Sequence, residues 1–181
     1  MNIIPTAIPD VVIIEPKVFA DNRGYFFESF NKTMYEAMGI TQEFVQDNQS
    51  MSGKDVLRGL HFQRPPFDQG KLVRVIKGSV LDVAVDIRKS SPTYGKWVSQ
   101  VLSEENKLLM WVPAGFAHGF LTLEPDTIFF YKCTGFYNSS AEGIIDWKDA
   151  DIHIDWNVEN PIISERDKNG EAFKSFITPF A

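Results

Sequence analysis

The chain is punctuated into short apolar-rich segments too brief for packed helices and bounded by turn residues. VVIIE (11–15), YFFESF (25–30), EFVQDNQS (43–50), VLRGLHF (56–62), KLVRVIK (71–77), VLDVAVDIR (80–88), WVSQVL (97–102), KLLMWV (107–112), AHGFLTL (117–123) and TIFFYKCTGFY (127–137) all read as strands. In VLDVAVD the period of two is clean, with Val80, Asp82, Ala84 and Asp86 on one face and Leu81, Val83 and Val85 on the other. Gly78-Ser79 between two of these runs signals a tight hairpin. One helix is predicted at 32–38, with Asn31 as N-cap, Met34, Tyr35 and Met38 as its apolar side and Gly39 as its stop. A second short helix is predicted around Arg166 to Phe173. So many short strands with almost no helix predict an all-β sandwich or barrel of jelly-roll type, whose open mouth can hold a ligand.

With 181 residues, no repeat and no Pro/Gly/Ser linker, one domain spanning 1–181 is expected. The N-terminus lacks a basic leader and is broken by Pro5, Pro9 and Asp10, and no stretch approaches the ~18 apolar residues of a membrane span. The single cysteine, Cys133, sits in an apolar run and reads as a small buried strand residue. A cytoplasmic protein with no membrane partner is expected. A net charge of −6 argues against general nucleic-acid binding but leaves room for a small phosphorylated ligand, for which Arg23, Arg58, Lys71 and Arg166 are candidate cations. Fifteen Phe, five Tyr and four Trp suit both a β core and a pocket that stacks on a ring.

The three histidines can be weighed singly. His153, in DIHIDW, reads as structural. His61 lies on a strand, sharing a face with Gly59 and Gln63 and opposite to Arg58, Leu60 and Phe62, while His118 follows a Pro/Gly turn in PAGFAHGF. A metal-binding jelly roll needs two histidines pointing inward from one strand and a glutamate close by. Here His61 is followed by Phe62 and Gln63, and the next inward candidate is the cation Lys71, so no metal is expected. With no Gly-rich phosphate loop and no nucleophile elbow, acid–base chemistry remains. Histidine suits a base, tyrosine a donor and lysine a charge beside a developing oxyanion. His61, Tyr131 and Lys71 could supply these roles.

VLRGLHFQ, QGKLVRVIKGSVLDVAVDIRKSSPTYGKW, LSEENKLLMWVPAGFAHGF, YKCTGFYNSSAEG and ISERD, in that order and over nearly the whole chain, resemble the dTDP-4-dehydrorhamnose 3,5-epimerase family. The resemblance implies a cupin-type jelly-roll barrel, a homodimer, and the use of neither a metal nor an organic cofactor. It also implies conversion of dTDP-4-dehydro-6-deoxy-D-glucose into dTDP-4-dehydro-L-rhamnose. Carried over by position, His61 resembles the proton acceptor, Tyr131 the proton donor, Lys71 the residue steadying the enolate oxygen, and Asp167 the carboxylate paired with the histidine. Nucleotide contacts would come from Arg23, Glu28, Gln46, Asp47, Asn48, Arg58, His118, Glu142 and Arg166, with Tyr137 stacking on thymine. Arg166 departs from the lysine common at its position but keeps the charge. A single-carbon epimerase or ketoisomerase on a related dTDP-sugar, and a non-catalytic sugar-nucleotide-binding barrel, are the alternatives.

Overall fold

The computed structural model describes residues 1–181 as two sheets packed face to face. The strands are β1 (Asn2–Pro5), β2 (Val12–Glu15), β3 (Phe19–Asp21), β4 (Gly24–Phe26), β5 (Gln46–Ser52), β6 (Val56–Gln63), β7 (Lys71–Lys77) and β8 (Ser79–Asp86). They continue with β9 (Trp97–Ser103), β10 (Leu109–Val112), β11 (Phe116–Thr122), β12 (Thr127–Cys133), β13 (Glu142–Ile144) and β14 (Ile162–Ile163), and the one α-helix is α1 (Lys32–Ala37). The first sheet runs β1-β2-β10-β7-β12-β5, and the second β13-β6-β11-β8-β9 with β14 beside β6. This is the jelly-roll architecture that the strand pattern predicts.

Most elements lie where the pattern puts them, and the departures are informative. The run 25–30 is a strand only to Phe26, as half of the β3–β4 hairpin, and 127–137 ends at Cys133. Gly78-Ser79 is no hairpin: β7 and β8 belong to different sheets, and Gly78 (φ +76°) turns the chain from one to the other. A Cβ there would lie 2.5 Å from the Thr127 hydroxyl oxygen, so local geometry demands glycine although the strands it joins do not pair. The second helix reduces to a single 3-10 turn, Asp167–Asn169. Helix α1 forms as its caps predict, with the Asn31 side chain accepting from Met34 N and Tyr35 buried against the outer face of the first sheet.

Besides the layer beneath α1, two further apolar layers result. Between the sheets, Val73, Val75 and Phe129 of the first meet Val80, Ala84, Phe116 and Phe120 of the second. There Phe120 stacks on Phe129 at 4.0 Å between centroids, one ring from each sheet. Leu57, Leu60, Val83, Val85 and Leu121 face outward from the second sheet, where Ile145, Ile152, Trp156 and Phe176 of the C-terminal segment cover them. Both faces of VLDVAVD are therefore buried, one inside the barrel and one beneath that segment.

At the end of β8, the fully buried Asp86 carboxylate accepts from the Arg88 guanidinium (2.7 Å), Ser91 (2.6 Å) and Thr93 (2.6 Å). Burial raises its pKa, but these bonds outweigh that and bring it down to about 2. A depressed carboxyl stabilises the fold above its unfolded pKa and loses that contribution as pH falls through the folded value. Asp86→Asn should therefore cost about 2 kcal/mol at neutral pH. Denaturant melts at neutral pH and near pH 2 check this, because the difference between wild type and variant should disappear in acid.

Candidate active site

Alternation along β6 breaks at Gly59. His118 of β11 pairs with His61 but Phe120 pairs with Arg58, so β6 carries one extra residue there, a β-bulge. Arg58, His61 and Gln63 consequently all line the interior, whereas Leu57 and Leu60 face out. Strict alternation, which sets Arg58 opposite His61, is corrected on this point. The bulge requires glycine: Gly59 has φ +139°, and a Cβ on it would lie 2.6 Å from the Gly119 Cα.

The interior so formed is a cavity of about 360 Å³. Its second-sheet wall carries Arg58, His61 and Gln63 from β6, His118 from β11 and Glu142 from β13. The facing wall carries Gln46, Asn48 and Ser50 from β5, Lys71 from β7, and Tyr131 and Cys133 from β12. Phe120 and Phe129 form its floor, and Phe62, Gln69, Tyr137 and Arg166 complete the lining.

His61 Nε2–H donates to Asp167 Oδ1 at 2.7 Å, and the Gly59 N–H donates to Asp167 Oδ2 at 3.3 Å. Asp167 is 2% exposed, held beneath β6 by the 3-10 turn. Burial pushes its carboxyl up, but the His61 hydrogen bond and charge, the Gly59 N–H and Arg166 prevail and hold it below the usual range. An ionised Asp167 fixes Nε2 as the protonated nitrogen and leaves Nδ1 as the basic one. Asp167→Asn should lower kcat by about 10²–10⁴-fold, in line with losing the correct tautomer. Affinity for dTDP, measured by calorimetry, should stay within about twofold because Asp167 does not line the cavity.

Opposite, the Tyr131 hydroxyl makes no hydrogen bond within the protein. Burial raises its pKa, Cys133 and Glu142 add to the rise, and Arg58 opposes it. The phenol thus keeps its proton at neutral pH and can donate it. Burial pulls the Lys71 ammonium down while Cys133, Asp82 and Glu142 push back, and Lys71 forms no ion pair that would occupy it. At the mouth, Arg166 meets Glu142 at 2.5 Å, the Tyr137 hydroxyl donates to Glu142 at 3.2 Å, and the Tyr137 N–H donates to Gln46 at 3.0 Å.

Of the candidate residues, His61, Lys71, Tyr131, Gln46, Asn48, Arg58, His118, Tyr137, Glu142 and Arg166 converge on this cavity, with Asp167 behind His61. Three lie outside it. Asp47 alternates onto the outer face of β5, bonded to Lys132 at 2.7 Å. Arg23 pairs with Asp21 in the β3–β4 turn and is 86% exposed, and Glu28 accepts from Asn31 near the start of α1. His153 also lies apart, in the covering segment. The residue missed by sequence reasoning is Asp82, bonded to His118 at 2.8 Å. Its signal was present, a carboxylate between Val80 and Ala84 on the inward face of a strand.

A base held by a carboxylate on one wall and a phenol with a lysine on the other define an acid–base enzyme in a jelly-roll barrel. A family model described as dTDP-4-dehydrorhamnose 3,5-epimerase matches residues 5–175. The chain belongs to that family. It is 58% identical to the dTDP-4-dehydrorhamnose 3,5-epimerase of Shigella flexneri over 174 residues, 96% of each chain. The dTDP-6-deoxy-D-glucose-3,5-epimerase of Legionella pneumophila, solved with dTDP-4-keto-L-rhamnose, superposes with a TM-score of 0.94 at 48% identity, covering 97% of this chain and 94% of that one. A 3′-monoepimerase from Streptomyces bikiniensis, solved with dTDP-quinovose, gives a TM-score of 0.88 at 30% identity, covering 94% and 87%. No helix is long and apolar enough to cross a membrane.

Proposed function

We propose that this chain is a dTDP-4-dehydrorhamnose 3,5-epimerase, inverting C3 and C5 of dTDP-4-dehydro-6-deoxy-D-glucose to give dTDP-4-dehydro-L-rhamnose for dTDP-L-rhamnose synthesis. The observation that carries the reading is the facing of His61–Asp167 on one sheet by Tyr131 and Lys71 on the other. A ketone at C4 acidifies the hydrogens of both neighbouring carbons because either anion delocalises onto the same oxygen. One positive site, Lys71, can therefore serve both inversions. His61 Nδ1 takes the proton from carbon, the negative charge moves to O4 beside Lys71, and at C5 Tyr131 delivers a proton to the opposite face. His61 then loses its proton to solvent, and the Tyr131 phenolate regains one. Arg58 and Arg166 supply charge for the diphosphate, and Tyr137 a face for thymine.

The test is incubation with dTDP-4-dehydro-6-deoxy-D-glucose in deuterated water, with NMR location of the label. Deuterium at both C3 and C5 of the product is expected, and a product labelled at one carbon only overturns the double inversion. That second outcome would match a single-carbon epimerase such as the Streptomyces bikiniensis 3′-monoepimerase, which at 30% identity is less similar to this chain than the Shigella flexneri 3,5-epimerase at 58%.

We further infer a homodimer in which Arg23 and Glu28 complete the partner's pocket, since both lie outside the cavity of their own chain. The exposed Phe19, Tyr25 and Phe26 of the same hairpin supply an apolar surface for that contact. Equal amounts of inactive Arg23→Ala and His61→Ala chains, unfolded and refolded together, should recover about a quarter of wild-type activity, because half the dimers formed contain one intact site. A cytoplasmic location is in keeping with Cys133 as a free buried thiol.

A further inference from the structure

We propose that Asp82 is a positioning residue of this site, which fixes the His118 ring and supplies the countercharge that keeps Lys71 an ammonium beside the sugar's C4 oxygen. The proposal rests on the epimerase reading above. Asp82 lies on β8 opposite Phe120, flanked by Val80 and Ala84 of the apolar core, and is 0% exposed. Its Oδ1 accepts from His118 Nε2 at 2.8 Å, and its buried Oδ2 has no partner. A carboxylate taken out of water with one oxygen unpaired is costly, and an apolar residue of similar size would pack there at less expense of stability. A group held at that cost calls for a role, and His118, which it holds, lines the pocket.

The neighbouring charges indicate which role. Asp82 from β8, Glu142 from β13 and the Cys133 thiol from β12 act electrostatically on Lys71, whose ammonium lies 6.0 Å from the centre of the Tyr131 ring. The second-sheet wall adds His118, His61 and Arg58. Glu142 is already tied to Arg166 and Tyr137, and Asp167 to His61 and Gly59. Asp82 is bonded to His118 alone, and its attraction to Lys71 opposes the burial that pulls the ammonium down. Burial raises the carboxyl and lowers the ammonium, and the attraction between Asp82 and Lys71 opposes both shifts, so each charge supports the other against desolvation. On this proposal the site contains a second carboxylate–histidine pair, whose carboxylate serves Lys71 rather than the base.

The test is the pH dependence of kcat/KM for wild type and Asp82→Asn, which keeps the shape and an acceptor for His118 while removing the charge. The alkaline limb should move down by about one pH unit and kcat near pH ~8 should fall about tenfold, as for an ammonium deprived of a nearby opposite charge. Affinity for dTDP should hold within about twofold. A uniform loss with an unshifted profile overturns the proposal. In a Lys71→Arg background the charge cannot be lost, so Asp82→Asn should no longer move the limb; a persisting shift overturns the route through Lys71. Should Asp82→Asn not fold, NMR of the intact wild type with ¹³C-labelled lysine decides, the Lys71 signal being assigned by its loss in Lys71→Arg. Lys71 protonated throughout roughly pH 6–8 is expected, well below the ordinary lysine pKa of about 10.4, and Lys71 neutral there overturns the proposal. These readouts separate the two ideas: a wild type that puts no deuterium into the substrate removes the epimerase reading, whereas the lysine titration stands without turnover.

Discussion

His61→Ala should lower deuterium exchange at both C3 and C5 by about 10³-fold, the middle of the range that a positioned general base contributes. Both carbons are affected because His61 is the open imidazole of the pocket, its side chain 21% exposed against 7% for His118, and it has an ionised carboxylate behind it. The imidazolium formed by proton removal is stabilised by Asp167, which is 2% exposed and therefore weakly screened. The change should leave the barrel standing, since His61 lies on the cavity wall and outside the apolar clusters. Exchange followed by NMR in deuterated water, with dTDP affinity as a control on folding, provides the measurement. Near-normal exchange at either carbon would remove His61 as its base.

Tyr131→Phe should produce a different failure. Proton removal by His61 and charge stabilisation by Lys71 remain, so washing of deuterium into recovered substrate should continue. Inversion at C5 should fall by about 10²–10³-fold for want of a donor on the far face. The substitution removes one oxygen and leaves the ring against Phe129, so packing is kept. The ratio of exchange to inversion, read from one NMR time course, separates this outcome from a general loss of activity. Equal losses of both would place Tyr131 on the path of proton removal instead.

Much of this architecture was legible because period-two alternation reports directly which side chains share a face. KLVRVIK and TIFFYKC carried Lys71 and Tyr131 inward together, as their apolar partners Val73, Val75 and Phe129 require. What failed were features that depend on two segments at once. Gly78-Ser79 has the composition of a hairpin, and only the packing of the sheets makes it a corner. Gly59 bulges because Gly119 approaches it from the neighbouring strand, an approach with no trace in VLRGLHFQ itself. Arg23 and Glu28 matched by resemblance, yet the fold of one chain leaves them away from the cavity, and sequence spacing says nothing about contacts between chains. Asp82 could have been singled out, since a carboxylate on an otherwise apolar inward face needs a partner across the barrel.

The Phe120–Phe129 stack gives the barrel interior a second meaning. One ring rises from the sheet that carries the base and the other from the sheet that carries the phenol, in contact at 4.0 Å between centroids. The stack is one of the spacers between the sheets, and under the proposed mechanism it helps to set the gap across which a planar enolate would be protonated from the face opposite to the one that lost its proton. Close-packed interiors transmit a missing ring as a shift of the surrounding walls. Stereochemical fidelity should accordingly depend on the packing of this hydrophobic floor as well as on the chemistry of the groups above it.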